Sequence, residues 1–157
     1  MFGTLNPGEI DDLLHQQFVG RIGCHADGLT YVVPVSYAYD GKCIYIHSLK
    51  GLKLEIMRKN PVVCFEVDET KRLSDWRSVI AFGHFEELEQ EDDVSQALKI
   101  LHQRELPLLA SQTMQLTSQW PFPAVKDDGI EGIFCRITIT AKSGRFEKSD
   151  DTFYYST

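Results

Sequence analysis

Ser48, Gly51 and Lys53 lie close together at a predicted junction between a strand and a helix. Residues 44–47 alternate in a way that predicts a strand, and the proline at position 61 ends the helix that follows. Free amide groups and the positive end of a helix dipole meet at such a junction. Lys53 adds an ammonium group, because helical side chains lean toward the N-terminus. The three residues therefore predict a site for an anion.

The helix of this junction is defined by its predicted N-cap and by apolar residues at helical spacing. Ser48 is the predicted N-cap, and the apolar positions are Leu49, Leu52 and Ile56. An ordinary strand-to-helix connection with a solvated lysine explains the same pattern. The local pattern alone slightly favours this second interpretation.

Size and composition restrict the class of protein. The 157 residues predict one domain over residues 1–157, large enough to bury roughly two-thirds of its unfolded surface. A formal charge of −7 does not supply the basic face that nucleic acid or an anionic membrane would require. No apolar run approaches the roughly 20 residues of a membrane helix, and no signal-peptide pattern occurs, so we expect a cytoplasmic protein. The four cysteines form no CxxC pair, which predicts buried thiols and neither a zinc nor a dithiol site.

Two further helices are predicted from their start signals. Asn6, Pro7 and Glu9 have the spacing of a capping box, and the apolar residues that follow share one face. Asp92 and Asp93 open an amphipathic helix that ends before the proline at position 107. The segment 120–123, which reads Trp-Pro-Phe-Pro, predicts a loop.

Six strands are predicted by apolar alternation, at residues 19–26, 30–39, 44–47, 61–68, 76–88 and 132–140. Asp27-Gly28 and Asp40-Gly41 separate the first three strands and predict tight hairpins. Gly83 predicts a bend or bulge within the fifth strand. Strands joined mainly by hairpins, with helices between and before them, predict a mainly β fold with α additions, built as a small antiparallel barrel.

Pro34 interrupts the second predicted strand and belongs at an edge or a bulge, because proline cannot donate to a ladder. The amides of Val35 and Ser36 would then be free to bind a ligand. A proline that only protects an exposed edge explains the pattern equally well.

Five motifs in this order resemble those of the flavin-binding split barrels, the pyridoxamine 5'-phosphate oxidase-like superfamily, and within it the NimA-type nitroimidazole reductases. They are Val33–Tyr37, Ile44–Ser48, Gly51–Lys53, Asn60-Pro61 and Trp76–Val79 leading into Gly83. The similarity covers most of the chain, from position 6 to about position 145. The resemblance implies a six-stranded antiparallel split β-barrel of Greek-key type with flanking helices. It also implies a homodimer that binds FMN in two clefts at the subunit interface.

The resemblance further implies which residues hold FMN. Lys53 would meet the phosphate, helped by Ser48 and the amides around Leu52. The second predicted strand would lie along the isoalloxazine ring. Its backbone groups would contact the polar edge of the ring at Val33, Pro34, Val35 and Ser36. The remaining predicted contacts are Ile46 and His47 to the flavin body, Ser78 and Val79 closing the cleft, and Arg21 as a further phosphate ligand.

Two departures from the family pattern bear on the reaction. The Arg- and Trp-bearing C-terminal motif by which pyridoxamine phosphate oxidases hold their substrate is not found, which argues against oxidation of vitamin B6. Position 52 is a leucine where Nim-type proteins often carry a histidine, so the resemblance leaves nitroimidazole reduction open.

The resemblance implies an FMN-dependent oxidoreductase, nitroreductase-like or flavin reductase-like, that acts on a small molecule with a donor such as NAD(P)H. No side chain in the set predicts acid or base catalysis, which fits a reaction carried out by the cofactor. A flavin carrier, sensor or store without turnover is a second hypothesis. A third is that the barrel holds the deazaflavin F420 or haem, with His47 or His84 as haem ligand.

Overall fold

The structure is a computed structural model that describes residues 1–104 and 132–149. The elements in these residues are β1 (Phe2–Thr4), α1 (Pro7–Gln16), β2 (Val19–Ala26), β3 (Leu29–Ser36), β4 (Ala38–Tyr39), β5 (Cys43–Ser48), α2 (Leu52–Lys59), β6 (Val62–Arg72), β7 (Asp75–Glu87), α3 (Glu91–His102) and β8 (Ile133–Lys148). The loop predicted at 120–123 lies outside the described residues, and the expectation of one domain over the full length stays a prediction. Within the described ranges no helix is long and apolar enough to cross a membrane.

The strands form one antiparallel sheet in the order β3-β2-β6-β7-β8-β5-β4, and β1 pairs with the far half of β8. β3 and β4 are consecutive in the chain, yet they stand at opposite ends of this order. The sheet therefore curls on itself, and β3 comes close to β5 without a ladder between them. This gap makes the fold the mainly β, antiparallel split barrel that the sequence predicts.

The predicted strand at 30–39 is divided in two at Tyr37. The N–H of Tyr37 donates to the carbonyl oxygen of Phe18 at 3.1 Å, in register with the pairing of β3 and β2, and the next two residues pair with a different strand. β3 consequently pairs with β2, and β4 pairs with β5. The other strand that the sequence does not predict is the short β1, because its three residues are too few to show alternation. The described residues therefore contain eight strands where six are predicted.

Several local predictions are confirmed. Asn6 accepts from the N–H of Glu9 at 3.0 Å, and Glu9 accepts from the N–H of Asn6 at 2.8 Å, which completes the capping box of α1. Pro34 lies in β3, an edge strand of the sheet. The ladder between β7 and β8 shifts register at Gly83, where a Cβ atom would stand 2.3 Å from the carbonyl oxygen of Thr138.

Two predicted boundaries are wrong because long-range pairing extends the strands. β6 and β7 continue to a turn at residues 73–74, beyond the predicted strand ends at 68 and 76, so most of the segment between those two predictions is strand. β8 does not end near residue 140 but runs to Lys148, because β7 and β1 pair with its polar second half.

The core fills the inside of the barrel and is closed by α1 and α2. Its largest fully buried side chains include Tyr37, Phe65, Leu13, Leu14, Ile22 and Leu54. α3 packs on the outer side of the sheet, where Ala97 and Leu101 contact a second cluster that contains Tyr45 and Phe134. All four cysteines are free thiols, but only Cys24 and Cys135 are buried as predicted, whereas Cys43 and Cys64 are half-buried.

Candidate functional site

The N-terminus of α2 carries amide groups that are available to a ligand. Gly51 is the N-cap, and the first bonds of the helix run from the N–H groups of Leu54 and Glu55 to its carbonyl oxygen. The N–H groups of Leu52 and Lys53 have no partner among the described residues, because no side chain caps this end. The space over Gly51 is open. The junction therefore offers two amides and a helix dipole to an anion.

Ser48 is not the N-cap, so this part of the prediction is wrong. Ser48 is the last residue of β5, where it pairs with Ile133 of β8, and it is 5% exposed. Its hydroxyl donates to the carbonyl oxygen of Leu49 at 2.8 Å and does not reach the helix amides. The helix begins later, and its inner face consists of Leu54, Ile56 and Met57, whereas the predicted Leu49 and Leu52 are exposed.

Lys50 and Lys53 place positive charge beside these free amides. Neither lysine forms an ion pair in the described part of the chain, whereas Lys59 at the other end of α2 pairs with Asp27 at 2.7 Å. A cation near a helix N-terminus is repelled by the dipole unless an anion lies between them. The arrangement therefore fits a phosphate group at the start of α2.

His47 stands next to this junction at the end of β5. Its ring packs against Phe134, with 4.8 Å between the ring centroids. Gly132 lies on the other side, where a Cβ atom would come 2.6 Å from Nε2 of His47. Gly132 has a φ of +115°, a conformation that other residues rarely adopt. The orientation of His47 is therefore fixed by the start of β8.

The predicted flavin-facing strand lies at the gap in the barrel. Val33 and Val35 point toward the core, and Pro34 and Ser36 point to the outer side of β3. β3 pairs with β2 along one edge, and its other edge faces the gap beside β5. The gap brings this strand close to the strand that carries His47, and no strand of the described residues pairs with this edge, so its peptide groups can bind a ligand.

Arg21, the further candidate for a phosphate ligand, already forms ion pairs with two carboxylates. Its Nη1 lies 2.6 Å from Oδ1 of Asp68 and 3.3 Å from Oε2 of Glu66. The hydrogen bond to Asp68 raises the pKa of Arg21, although burial opposes the rise. Two carboxylates already compensate this guanidinium, whereas Lys53 has no such partner among the described residues.

The other predicted contacts are distributed over two sides of the sheet. The side chains of Ile46 and Val79 are 2% and 0% exposed and belong to the core, so a ligand contact at these positions would come from the main chain. Ser78 points outward from β7, and β2 and β6 separate it from β3. Within one chain β3 therefore lies close to β5, which carries His47 and leads to the start of α2, whereas Ser78 lies apart from β3. The roles of all these residues in holding a flavin stay predictions.

The outer face of β2, β6 and β7 carries an apolar row that no described element covers. One row runs directly across five strands, from β3 to β8, through Val32, Gly23, Cys64, Phe82 and Ala141. Val32 and Phe82 are 65% and 49% exposed, and Ile80 beside Phe82 is 40% exposed. We call this row together with Ile80 the open face. Contiguous exposed apolar surface of this kind is typical of an interaction site.

Arg104 is a candidate site residue that the sequence patterns did not indicate. It follows α3, and its Nη1 donates to Oγ of Ser36 at 2.9 Å. It also lines a cavity of about 650 Å³ whose other walls are the C-terminal end of α1 and residues 37–40. The only signal in the sequence is a basic residue after an amphipathic helix, which by itself does not place the side chain at a strand 68 residues away.

Comparisons with known proteins agree with this fold. The family model described as pyridoxamine 5'-phosphate oxidase matches residues 6–145. The crystal structure of an FAD-binding protein from Mesorhizobium loti is 32% identical with a TM-score of 0.72, covering 94% of this chain and 99% of that one. A structure described as a candidate 5-nitroimidazole antibiotic resistance protein from Bacteroides thetaiotaomicron is 18% identical with a TM-score of 0.70, covering 93% and 87%.

A curated relative matches over part of its length. An uncharacterised protein from Rhizobium meliloti (strain 1021) is 36% identical over 70 residues, which is 45% of this chain and 46% of that protein. The chain therefore matches less than half of this relative. The family match covers most of the chain, and the similar structures include flavin-binding split barrels. The chain belongs to the pyridoxamine 5'-phosphate oxidase family.

Proposed function

We propose that this protein is an FMN-binding flavoprotein, and that it acts as an oxidoreductase on a small molecule at a flavin held between two copies of the chain. The observation that carries the proposal is the start of α2, where two free amides and the unpaired Lys53 meet in a member of a flavin-binding family. A terminal phosphate is the dianion that such an arrangement binds best.

The chain's own residues would each bind or orient part of the cofactor. Lys53 and the amides of Leu52 and Lys53 would hold the phosphate. The main chain of Val33–Ser36 would orient the ring at the gap beside β5. When bound, the flavin supplies the electron or hydride transfer, so no acid or base from the protein is required.

The open face supports a homodimer. Its apolar row is flanked by the charged group of Arg21, Glu66 and Asp68, so an apolar centre with a polar rim lies on one side of the sheet. Ser78 lies on that side too, distant from β3 of its own chain. A second copy packed on the open face could therefore supply Ser78 to the gap of its neighbour.

FAD is the second candidate cofactor, because the similar structure from Mesorhizobium loti is described as FAD-binding. Both cofactors end the shared riboflavin part in a phosphate, and the start of α2 would bind either one. They differ in the adenosine part, which FMN lacks. Chromatography of the flavin released by denaturation distinguishes FMN from FAD.

The proposal is tested by the absorption spectrum of the purified protein, repeated after addition of NADH or NADPH. A flavin spectrum supports the cofactor, and bleaching by reduced nicotinamide with reoxidation by a nitroaromatic or a second flavin supports the enzyme. A flavin that no donor reduces would favour a carrier, sensor or store. A Soret band would favour haem, and a protein that takes up no flavin would contradict the proposal.

A further inference from the structure

Arg104 links the C-terminal end of α3 to the end of β3. Its Nη1 donates to Oγ of Ser36 at 2.9 Å and to the carbonyl oxygen of Tyr37. Its Nε donates to the carbonyl oxygen of Leu101 at 3.2 Å, which satisfies one of the last acceptors of the helix. The guanidinium is therefore held at the strand end that carries Ser36.

The positive charge of Arg104 is not compensated by a carboxylate among the described residues. Only neutral oxygens accept its hydrogen bonds, and Nη2 is buried with no partner in those residues. Arg77 and Arg136, which are also partly buried, each pair with a carboxylate, at 2.8 and 2.6 Å. Burial lowers the pKa of Arg104 to about 10, so the group is still charged at neutral pH. A partly buried cation without a counter-charge is costly, and such groups occur mainly at functional sites.

This charge lies at the strand that the proposed function puts along the flavin ring. Uptake of two electrons and one proton turns the neutral oxidised ring into a reduced ring with one negative charge. A fixed cation in a partly buried site stabilises that charge more than it would in water. The ordinary hydrogen bonds to Ser36 and Tyr37 do not need a full charge, since a neutral amide could also donate them.

We propose that Arg104 is a positioning residue of the cofactor site, which holds the end of β3 in place and raises the reduction potential of the bound flavin by favouring its anionic reduced form. The inference rests on the proposed function.

The test is the midpoint potential of the flavin-loaded protein, measured anaerobically against a reference dye, for the wild type, Arg104→Gln and Arg104→Lys. We expect Arg104→Gln to weaken binding of reduced flavin relative to oxidised flavin about tenfold, a shift of about 30 mV to more negative potential for a two-electron couple. Arg104→Lys should restore most of this shift, because it keeps the charge. Arg136→Gln is the matched control, since it changes the net charge equally while its site already contains Glu86 and Asp93.

The outcomes separate the two proposals. A bound flavin whose potential is the same in Arg104→Gln as in the wild type overturns the role of Arg104 and leaves the proposed function intact. A protein that binds no flavin overturns both. If Arg104→Gln does not fold, the wild type is reduced and titrated with acid: a reduced flavin that stays anionic below neutral pH supports the role, and one that is neutral at pH 7 overturns it.

Discussion

Lys142 and Asp11 form an ion pair of 2.6 Å between β8 and α1, two elements 131 residues apart in sequence. Tyr39 of β4 joins the same pair, because its hydroxyl donates to Oδ1 of Asp11 at 2.8 Å and accepts from Nζ of Lys142 at 3.0 Å. Three elements of the barrel therefore meet at one polar contact outside the proposed site.

We expect this ion pair to make stability depend on acidity below pH 5. The hydrogen bond from Lys142 lowers the pKa of Asp11, although burial opposes it, so the folded protein holds this carboxylate in its charged form. Its contribution is complete above the ordinary carboxyl pKa of about 4 and is lost as the pH falls through the lowered value. Asp11→Asn should reduce the free energy of unfolding by less than about 1 kcal/mol at pH 7 and by a smaller amount at about pH 3. Urea unfolding at both pH values measures this, with Asp12→Asn on the exposed side of the same helix as control.

Lys53→Ala should weaken FMN binding by roughly 1–3 kcal/mol, the scale of a lost charge-assisted hydrogen bond. The measurement is flavin fluorescence quenching on titration of the apoprotein. Lys59→Ala removes a lysine from the same helix, at the end where Asp27 already pairs with it, and should leave the affinity unchanged. Equal losses in both variants would mean that general charge, not the start of α2, attracts the cofactor.

Gly132→Ala should destabilise the fold by roughly 1–3 kcal/mol because alanine is strained in the backbone conformation of this residue. Steric contact of the added Cβ atom should increase this loss. A Cβ atom there would lie 2.9 Å from the carbonyl oxygen of Ser48 and 2.6 Å from Nε2 of His47. Gly41→Ala is the control, since Gly41 has a φ of +98° but no atom within 4 Å of the added carbon. Urea unfolding of the two variants separates the effect of contact from that of conformation. A smaller loss for Gly132→Ala than for Gly41→Ala would contradict the packing described for His47.

Tyr37→Phe should reduce the free energy of unfolding by roughly 1–3 kcal/mol, because it leaves a buried acceptor without its donor. The hydroxyl of Tyr37 donates to the carbonyl oxygen of Leu14 at 2.6 Å, at the end of α1, and the ring is fully buried. Tyr31→Phe removes a hydroxyl from a half-buried ring on β3 and should change stability by less than about 0.5 kcal/mol. Chemical denaturation followed by circular dichroism provides both values.

Phe82→Glu should convert the proposed homodimer to a monomer and lower flavin uptake with it. A carboxylate buried in an apolar interface without a partner costs several kcal/mol, which weakens association roughly 100-fold or more. Light scattering after size exclusion reports the mass. Leu73→Glu alters a side chain that is 93% exposed at the turn between β6 and β7, outside the open face, and should leave the mass unchanged. A dimer that persists in Phe82→Glu would place the interface elsewhere.

Local hydrogen bonds and backbone constraints can be predicted from the sequence, because the residues that form them are only a few positions apart. The capping box of Asn6 and Glu9 forms within one helical turn, and Gly83 and Pro34 constrain the backbone wherever they occur. Ser48 was placed wrongly because its type suits an N-cap, while its pairing with Ile133, 85 positions later, keeps it in the strand. At this residue the long-range strand pairing outweighs the local preference for a helix cap.

Contacts between distant segments account for the rest of what the sequence did not show. The change of pairing from β2 to β5 after Tyr37 divides a strand whose apolar pattern is continuous. Arg104 meets Ser36 because α3 crosses the outside of the sheet, and no spacing in the sequence records that crossing. The sequence predicts free amides at the start of α2. It does not show which residues carry them, because that depends on where β5 ends.

The gap between β3 and β5 also limits how this barrel can be changed. A closed barrel, in which every strand pairs with two neighbours, has no exposed peptide edge and is more stable for that reason. Changes to the chain that let the first hairpin pair with β5 would close the barrel and make it more stable, and the opening that we propose for the flavin ring would be lost.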